Sequence, residues 1–248
     1  MIYVVLPAYN EAKNIQPLLD SLATAMRDGG LPNYRVLVVN DGSTDETLVR
    51  LQALQATLPL VILDNEVNMG LAETLKRGLV AAVEMVTDED IVVTMDADNS
   101  HSPALIKRMV LSIQEGNDVV IASRFRYGAR VRGVPVHRRM LSSGASMLFR
   151  MLFPIDGVRD FTCGYRAYRA TLLKRAFTDL GPSAIISEKG FSCMVDILLK
   201  IREYYPIITE VPLILRYDQK QGASKMKVMR TVTDTLKLAA RRRFGINS

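Results

Sequence analysis

Two aspartates separated by a single residue are the part of the chain best suited to do chemistry. Asp96 and Asp98 directly follow an apolar run at residues 91–95. A strand that is apolar on both faces lies inside a sheet, so its end would place both carboxylates at the sheet's edge. Mg²⁺ or Mn²⁺ held by one or two carboxylates usually keeps its other positions for phosphate oxygens and water. The pattern therefore predicts a metal–diphosphate site, whereas the same residues in a solvated loop would do no chemistry.

The elements that must position these carboxylates alternate along the first half of the chain. Apolar runs predict strands at residues 3–6, 35–40, 60–63, 90–95 and 118–123. Segments with apolar residues at helical spacing separate the strands, and the last of these helices is predicted to open at Ser102-Pro103, an N-cap followed by proline. This order predicts an α/β fold with a doubly wound, mostly parallel sheet. Such sheets bind ligands beyond the carboxyl ends of their strands.

The second half of the chain is less regular. Its predicted elements are a helix at 140–153, a strand at 165–168, a helix at 191–204, a strand at 207–216 and a basic amphipathic helix at about 225–243. No internal repeat or long linker divides these segments. We therefore predict a single domain that spans residues 1–248.

Polar side chains follow four successive predicted strands. The clusters are residues 7–11, 40–45, 65–70 and 96–101. Each cluster alone is also typical of a turn or a helix cap, but four at one edge of a sheet predict a binding site. A tyrosine ring beside acids suits a nucleobase and ribose. The chain has neither G-x-G-x-x-G nor G-x-x-x-x-G-K-[ST], which argues against Rossmann dinucleotide folds and P-loop NTPases.

The charge is distributed unevenly. The net charge is +6, and residues 119–155 contain seven arginines and no carboxylate. Residues 220–243 contain eight Lys or Arg against one acid. One-signed segments of this kind indicate an anionic partner such as a lipid phosphate, an anionic membrane surface or nucleic acid, with solvated helix faces as the alternative. Only Phe125 and Tyr127 interleave with the arginines, so nucleic acid is not expected.

Composition indicates the class of protein and its cellular location. A chain of 248 residues that is 48% hydrophobic and 23% charged is typical of a globular fold with a large core. Cys163 and Cys193 lack the spacing of a metal site or a disulfide framework, so we expect reduced core residues. Residues 1–7 indicate a strand instead of a signal peptide, and no stretch reaches the ~18 apolar residues of a membrane span. We therefore expect a cytoplasmic protein that is at most peripheral on the membrane face.

Together these residues resemble the inverting family-two nucleotide-sugar glycosyltransferases. The matching segments are Pro7-Ala8-Tyr9-Asn10-Glu11, Asp41-Gly42-Ser43-Thr44-Asp45, Asn68-Met69-Gly70-Leu71, Asp96-Ala97-Asp98 and Ala122-Ser123-Arg124. Within that family the chain is most similar to dolichyl- and polyprenyl-phosphate mannosyltransferases and glucosyltransferases. The segments that carry this closer likeness are Arg138 with Ser142, residues 160–166 and residues 222–225.

The resemblance implies a glycosyltransferase A-type fold and a role for each matching residue. The implied donor-binding residues are Pro7, Tyr9, Glu11, Asp41, Asn68 and Asp96. The implied ligands of Mg²⁺ or Mn²⁺ are Asp96, Asp98 and Ser100, and the implied catalytic residues are Asp96, Asp98 and Arg124. The implied acceptor-phosphate residues are Arg124, Arg138, Ser142 and Lys225. The arginine-rich segment found from charge alone is therefore where the resemblance places an anionic acceptor.

Two positions depart from the family pattern. Ser100 stands where the most similar relatives have a glutamine, so Ser100, a water or His101 would complete the metal shell. Gln219 stands where an arginine is usual, and Arg216 or Lys220 would take over its charge.

The activity implied is metal-dependent, inverting transfer of a hexose from a nucleoside-diphosphate sugar to a polyprenyl or dolichyl phosphate. Mannose from GDP-mannose is the favoured sugar, with a UDP-sugar as the other donor. A soluble acceptor is the first alternative, and Asp160 or Asp196 would then be the base, although ion pairing with nearby arginines is their other role. The remaining alternatives are a sugar-phosphate nucleotidyltransferase, whose glycine-rich loop is missing here, and a non-catalytic or nucleic-acid-binding domain of a membrane complex. His101 and His137 are expected to be structural or peripheral.

Overall fold

The computed structural model describes residues 1–222 and Leu238, except for the side chains of residues 136–139, 141, 145 and 191. Its strands are β1 (Ile2–Ala8), β2 (Tyr34–Asp41), β3 (Leu60–Asn65), β4 (Ile91–Thr94), β5 (Val119–Ser123), β6 (Arg130–Arg132), β7 (Arg166–Arg169), β8 (Ile208–Pro212) and β9 (Ile214–Arg216). Its α-helices are α1 (Ile15–Asp28), α2 (Thr47–Leu54), α3 (Leu71–Met85), α4 (Leu105–Gln114), α5 (Val136–Leu152), α6 (Ala170–Leu180), α7 (Pro182–Ile185) and α8 (Cys193–Ile201). Short 3₁₀ turns at Gly190–Ser192 and Arg202–Tyr204 flank α8.

Seven strands form one sheet in the order β3-β2-β1-β4-β7-β5-β8. Among the strands of the described residues in this sheet, only β7 runs antiparallel to its neighbours, so the predicted α/β fold with a mostly parallel sheet is confirmed. The strands β6 and β9 form a separate parallel pair. Because β1, β2 and β4 are neighbours and run the same way, their carboxyl ends lie side by side.

The central strands are buried on both faces, which is why their sequences are continuous apolar runs. Val4, Val5 and Leu6 of β1 have no exposed surface. Helix α3 packs closely on this sheet at Gly78, where a Cβ atom would lie 2.5 Å from Val5 Cγ1. Helix and sheet therefore approach more closely there than a larger residue would allow.

Two predicted boundaries were wrong. Helix α4 begins at Leu105 and not at Ser102-Pro103, because residues 102–104 form a turn whose Ser102 carbonyl accepts bonds from Leu105 N and the Tyr165 hydroxyl. The predicted strand at 207–216 is two strands, β8 and β9. Leu213 N donates to Ser123 O of the main sheet and Leu213 O accepts from Arg130 N of the small pair, so the chain changes sheets at Leu213.

Other predictions were incomplete. The helices α6 and α7 and the strand β6 were not predicted, and α5 begins four residues before the predicted 140. The predicted strand at 165–168 is present as β7 and the helix at 191–204 as α8 with its flanking turns. The predicted basic helix at about 225–243 lies outside the described residues apart from Leu238. Within the described part of the chain, no helix combines the length and the apolarity that spanning a bilayer requires.

Candidate functional site

The loops that follow β1 and β2 are joined by hydrogen bonds from the polar residues at the strand ends. Asn10 adopts a left-handed backbone (φ 52°), donates its N–H to Ser43 Oγ at 2.9 Å and accepts Thr44 N at 2.7 Å through its side-chain oxygen. Glu11 N donates to Thr47 Oγ1 at 2.8 Å. The strand-end clusters at 7–11 and 40–45 therefore form one connected surface, with Pro7 and Tyr9 half-buried within it.

Asp41 fastens the end of β2 to the loop before α3. Its carboxylate is buried and accepts Asn65 Nδ2, Met69 N and Gly70 N at 2.9, 2.8 and 2.9 Å. The exposed Asn68 donates to the Asp41 carbonyl at 3.3 Å. The structure brings Asp41 and Asn68 together, and it gives the Asp41 carboxylate three bonds inside the chain. A direct contact of this carboxylate with the donor stays a prediction.

Asp98 is held by its own loop on one side and by a distant lysine on the other. Its Oδ1 accepts Ser100 N at 3.0 Å and Ser100 Oγ at 2.5 Å, in a turn that places Asn99 at φ 60°. Its Oδ2 accepts Lys220 Nζ at 2.7 Å. Ser100 is buried and orients Asp98, and its role as a metal ligand stays a prediction.

Asp96 lies beside Asp98 at the end of β4, with His101 as its neighbour. The Asp96 side chain is 38% exposed, and His101 Nε2 lies 4.0 Å from its Oδ2. His101 Nδ1 accepts Asp96 N at 3.5 Å, and the ring stacks on Tyr165 with centroids 5.1 Å apart. His101 is therefore a buried residue lining the site, and its place in the metal shell stays a prediction.

The two aspartates have pKa values shifted in opposite directions. Desolvation raises the pKa of Asp96, with repulsion from Asp98 and Glu11 adding to it. Desolvation also acts on Asp98, but His101, Lys220 and the Ser100 hydroxyl outweigh it and lower the pKa of Asp98. Close like charges that disfavour each other's ionisation form a site that a cation would stabilise.

The donor atoms of this site fit a hard divalent ion. Asp96, Asp98 and Ser100 offer only oxygen atoms, the ligands that Mg²⁺ and Mn²⁺ prefer. Among the residues that the structure describes, no group of three or more His, Cys, Asp or Glu side chains could hold a metal by itself. The protein would therefore supply two carboxylates, and phosphate oxygens and water would supply the rest.

Arg124 follows β5 and is bound to Asp160. Its Nε and Nη2 donate to the two Asp160 oxygens at 2.8 and 2.6 Å, and Nη2 also donates to Thr162 Oγ1 at 2.6 Å. Asp160 has no exposed surface and also accepts the Arg124 and Cys163 N–H groups at 3.0 and 3.1 Å. Burial tends to lower the pKa of Arg124, but the charge and hydrogen bonds of Asp160 outweigh burial and raise it, and Asp96 adds a smaller contribution.

The sequence profile of glycosyl transferase family 2 matches residues 3–177. The chain belongs to this family. It is 31% identical over 227 residues to the dolichol-phosphate mannosyltransferase of Pyrococcus furiosus, which covers 91% of this chain and 59% of that relative. It is 33% identical over 229 residues to the polyprenol monophosphomannose synthase of Mycolicibacterium smegmatis, which covers 90% of this chain and 80% of that relative.

Solved structures agree with the fold expected for family 2. The structure of glucosyl-3-phosphoglycerate synthase from Mycobacterium tuberculosis with Mg²⁺ and UDP matches with a TM-score of 0.69 at 26% identity, covering 100% of this chain and 80% of that one. The complex of the same synthase with Mn²⁺, UDP and glucosyl-3-phosphoglycerate matches with a TM-score of 0.69 at 24% identity, over 100% of this chain and 81% of that one. The glycosyltransferase A-type fold implied by the sequence is thus confirmed.

The two acids proposed as bases for a hydroxyl acceptor are both sealed inside this family-2 fold. Asp160 forms the ion pair with Arg124, which was the alternative role expected for it. Asp196 has no exposed surface and accepts Ser187 N at 2.9 Å and Lys200 Nζ at 2.7 Å through Oδ2. Neither carboxylate faces solvent, so neither is placed to take a proton from an incoming hydroxyl.

Besides Arg124, two of the residues implied in acceptor binding by family 2 lie on α5. The backbone of Arg138 and the half-buried Ser142 are one turn apart on this helix, while the Arg138 side chain and Lys225 lie outside what the structure describes. Three methionines on the same helix have exposed side chains. These are Met140, Met147 and Met151, with 70%, 65% and 73% of their surface accessible.

Sequence reasoning missed two contacts of this family-2 site. One is the ion pair between Asp98 and Lys220, because the sequence indicated Lys220 only as one of two replacements for an arginine at position 219. The other is Glu210, which accepts the N–H groups of Arg159 and Asp160 at 2.6 and 2.7 Å and so fixes the loop that presents Asp160 to Arg124. Cys163 and Cys193 are buried thiols without a disulfide, and burial raises the pKa of each to about 12.

Proposed function

We propose that this chain transfers a hexose, with inversion, from a nucleoside-diphosphate sugar to a polyprenyl phosphate in a reaction that depends on Mg²⁺ or Mn²⁺. The favoured sugar is mannose, with GDP-mannose as its donor. The observation that carries the proposal is the pair Asp96 and Asp98, which lie at the carboxyl end of β4 beside the clusters that follow β1 and β2. Ligands of open α/β sheets bind at this edge.

The carboxylates and the basic residues would have separate roles in the reaction. Asp96 and Asp98 would hold the divalent ion, which supplies Lewis-acid stabilisation of the departing diphosphate when it is bound. Tyr9 and Glu11, with Asp41 and Asn68, would contact the base and ribose. Arg124 would add positive charge near the reacting atoms, and Asp96 is among the charges that raise its pKa.

A phosphate acceptor agrees with the burial of the candidate bases. An acceptor hydroxyl needs a general base, whereas a phosphate monoester is already ionised at neutral pH and needs only to be positioned. Asp160 and Asp196 are both sealed and hydrogen-bonded. This supports an acceptor that arrives as an anion, with Arg124, Arg138, Ser142 and Lys225 as the residues that would orient it.

A lipid carrier for this phosphate is supported by the surface of α5 and by the relatives. The exposed methionines Met140, Met147 and Met151 recur on one face of the helix, in the segment that has seven arginines and no acid. Both relatives described above are named for a lipid, dolichol phosphate in one and polyprenol in the other. We therefore propose a cytoplasmic protein that works peripherally at an anionic membrane surface or on a membrane-protein partner.

The test is release of nucleoside diphosphate from a panel of nucleotide sugars, with and without a polyprenyl phosphate. We expect GDP-mannose to be consumed only when both the lipid phosphate and Mg²⁺ or Mn²⁺ are present, and EDTA to stop the reaction. Analysis of the product should show an inverted anomeric linkage to phosphate. Consumption that needs no metal would contradict the metal site, and consumption driven equally well by a soluble saccharide would contradict the lipid-phosphate acceptor.

A further inference from the structure

A short loop crosses the edge of the sheet directly in front of Asp98. At one end of residues 217–222, Arg216 N donates to Ser100 O at 2.8 Å. At the other end, Gln221 exchanges two hydrogen bonds with the Asn14 side chain, both at 2.9 Å. The loop is therefore anchored to the segments that follow β4 and β1, and Lys220 lies between its two anchors.

Lys220 points its charge into the site. Its Nζ is 2.7 Å from Asp98 Oδ2, with side chains that are only 10% and 14% exposed, and 5.6 Å from the centre of the Tyr217 ring. In contrast, Arg216 donates through Nε and Nη2 to Asp218, at 3.0 and 2.9 Å. Of the two cations that could replace an arginine at position 219, only Lys220 contacts the paired aspartates.

We infer that Lys220 is a movable counter-ion that holds Asp98 before the donor binds and then contacts the diphosphate of the bound nucleotide sugar. The inference rests on the function proposed above. An ammonium on a flexible four-carbon chain can change partners within a few ångströms, which a fixed guanidinium fork does less readily. The anchored loop keeps Lys220 close to both partners.

Lys220 should have opposite effects on binding of the divalent ion and on binding of the diphosphate. A divalent ion that binds Asp98 must compete with Lys220 for the same carboxylate, so the lysine weakens binding of the ion alone. A diphosphate that arrives with the ion brings negative charge and offers the displaced ammonium a new partner. When the diphosphate leaves the sugar it becomes more negative, and Lys220 would stabilise that charge in a site partly shielded from water.

The test measures free Mn²⁺ by electron paramagnetic resonance and nucleoside-diphosphate binding by calorimetry, on the wild-type protein and on Lys220→Gln. Without nucleotide, we expect Lys220→Gln to bind Mn²⁺ roughly fivefold more tightly, because one ion pair that competes for Asp98 is lost. With Mn²⁺ present, we expect it to bind GDP or UDP roughly tenfold more weakly, because one charge-assisted hydrogen bond is lost. Neither readout requires sugar transfer.

Two further variants sharpen the result. Lys220→Arg keeps the charge and should restore most of the nucleotide affinity, which a loss of folding would not allow. Arg216→Gln also replaces a cation by glutamine, at the end of β9 directly before the loop, and we expect it to alter both affinities by less than about twofold, as for an exposed pair. Thermal unfolding of each variant checks that the loop change leaves the fold intact.

Several outcomes would overturn the inference. Mn²⁺ affinity that is unchanged or weaker in Lys220→Gln would show that the lysine does not compete for Asp98. Unchanged nucleotide affinity would show that it is not a diphosphate partner, and a larger loss in Arg216→Gln would assign the role to Arg216. If the wild-type protein bound Mn²⁺ and nucleotide while the variant matched it, the inference alone would fail. If the wild-type protein bound neither, the proposed function would fail with it.

Discussion

Asp98 and Asp160 lie at the same edge of the sheet and have opposite environments. Asp160 is fully buried, and its two oxygens accept bonds from the Arg124 guanidinium and from backbone N–H groups. Asp98 is 14% exposed, and within residues 1–222 it accepts bonds from a serine two residues away and, through Oδ2, from the Lys220 ammonium. Arg124 therefore balances the charge of Asp160 within the fold, whereas Asp98 lies beside a second carboxylate, that of Asp96.

This difference separates an acid that supports the fold from acids that are available to a ligand. Burial tends to raise the pKa of Asp160, but the Arg124 charge and hydrogen bonds outweigh burial and lower it. In the other region the pKa of Asp96 remains raised, because desolvation and two neighbouring carboxylates act together. A buried charge that is paired inside the chain needs nothing further, while a repelling pair at an open edge is stabilised by a cation from outside.

The largest effect is expected from Asp98→Ala. Removing one of the two proposed metal ligands should reduce transfer by roughly a thousandfold or more, because metal-ion stabilisation of a leaving group is worth several kcal/mol. It should also abolish the metal dependence of nucleotide binding. The free energy of unfolding should fall by only about 1–2 kcal/mol, since the variant loses the bonds to Lys220 and Ser100 but also relieves the repulsion from Asp96. Initial rates of transfer and urea denaturation measure the two quantities.

Asp156→Ala is the matched control, because Asp156 is an exposed aspartate outside the strand-end clusters. It should change neither the rate nor the stability. Full activity in Asp98→Ala would contradict the role of the paired aspartates and with it the comparison between the two regions.

The second prediction concerns the sealed acid. Asp160→Ala should lower the free energy of unfolding by about 3–5 kcal/mol, because it leaves the Arg124 guanidinium without its partner in a buried place. The double variant with Arg124→Met should recover part of this loss, since no unpaired charge then remains. Urea denaturation of both single variants and the double variant measures the coupling. A loss below about 1 kcal/mol in Asp160→Ala would mean that the two regions do not differ as their burial indicates.

The sequence alone predicted the half of the site that follows from local pattern. Continuous apolar runs located β1, β2 and β4, because strands buried on both faces have no polar positions. Parallel neighbours end at the same edge, so Asp96 and Asp98 could be placed beside the polar clusters that follow β1 and β2. The positions of the paired aspartates could thus be predicted from strand direction and hydrophobic period alone.

The remainder depends on contacts between residues far apart in the chain. Arg124 and Asp160 are separated by 36 positions and Asp98 and Lys220 by 122, and no periodicity relates such pairs. Strand β7 lies antiparallel between β4 and β5, and this placement is also determined by tertiary packing. For Asp160 the sequence left open whether it is a base or an ion partner, and only burial and geometry decide that question.

A third prediction follows from the commitment of Arg124 to Asp160. If that guanidinium is largely engaged within the fold, Arg138 should contribute most to binding of the acceptor phosphate. Arg138→Ala should raise the KM for polyprenyl phosphate roughly 10- to 100-fold, the worth of a charge-assisted hydrogen bond, with little change in the KM for the donor. Arg150→Ala is the control, because Arg150 is an exposed arginine on the same helix. Equal losses for donor and acceptor would assign Arg138 a structural role.

The smallest effect is expected behind the sealed pair, at Glu210. Burial and the nearby Asp160 charge raise the pKa of Glu210 above its usual 4.5, although the N–H groups of Arg159 and Asp160 and the Ser123 side chain oppose this. Above pH 4.5 the folded chain therefore holds this proton more tightly than the unfolded chain does. The contribution of Glu210 to stability is then fully present below pH 4.5 and is lost as the pH rises through the folded-state pKa.

Glu210→Gln removes this titration while keeping an oxygen that can accept the same two N–H groups. The difference in unfolding free energy, wild type minus variant, should therefore fall as the pH rises from about 4.5 towards neutrality, and should be constant once Glu210 is ionised in both states. Asp160 and Arg124, which lie on the loops near Glu210, keep their charges over this range in both proteins, because the pKa of Asp160 is lowered and that of Arg124 is raised. A difference that rises with pH would mean that the carboxylate is stabilised as an anion, and that the region around Asp160 accepts a second negative charge more easily than its burial indicates.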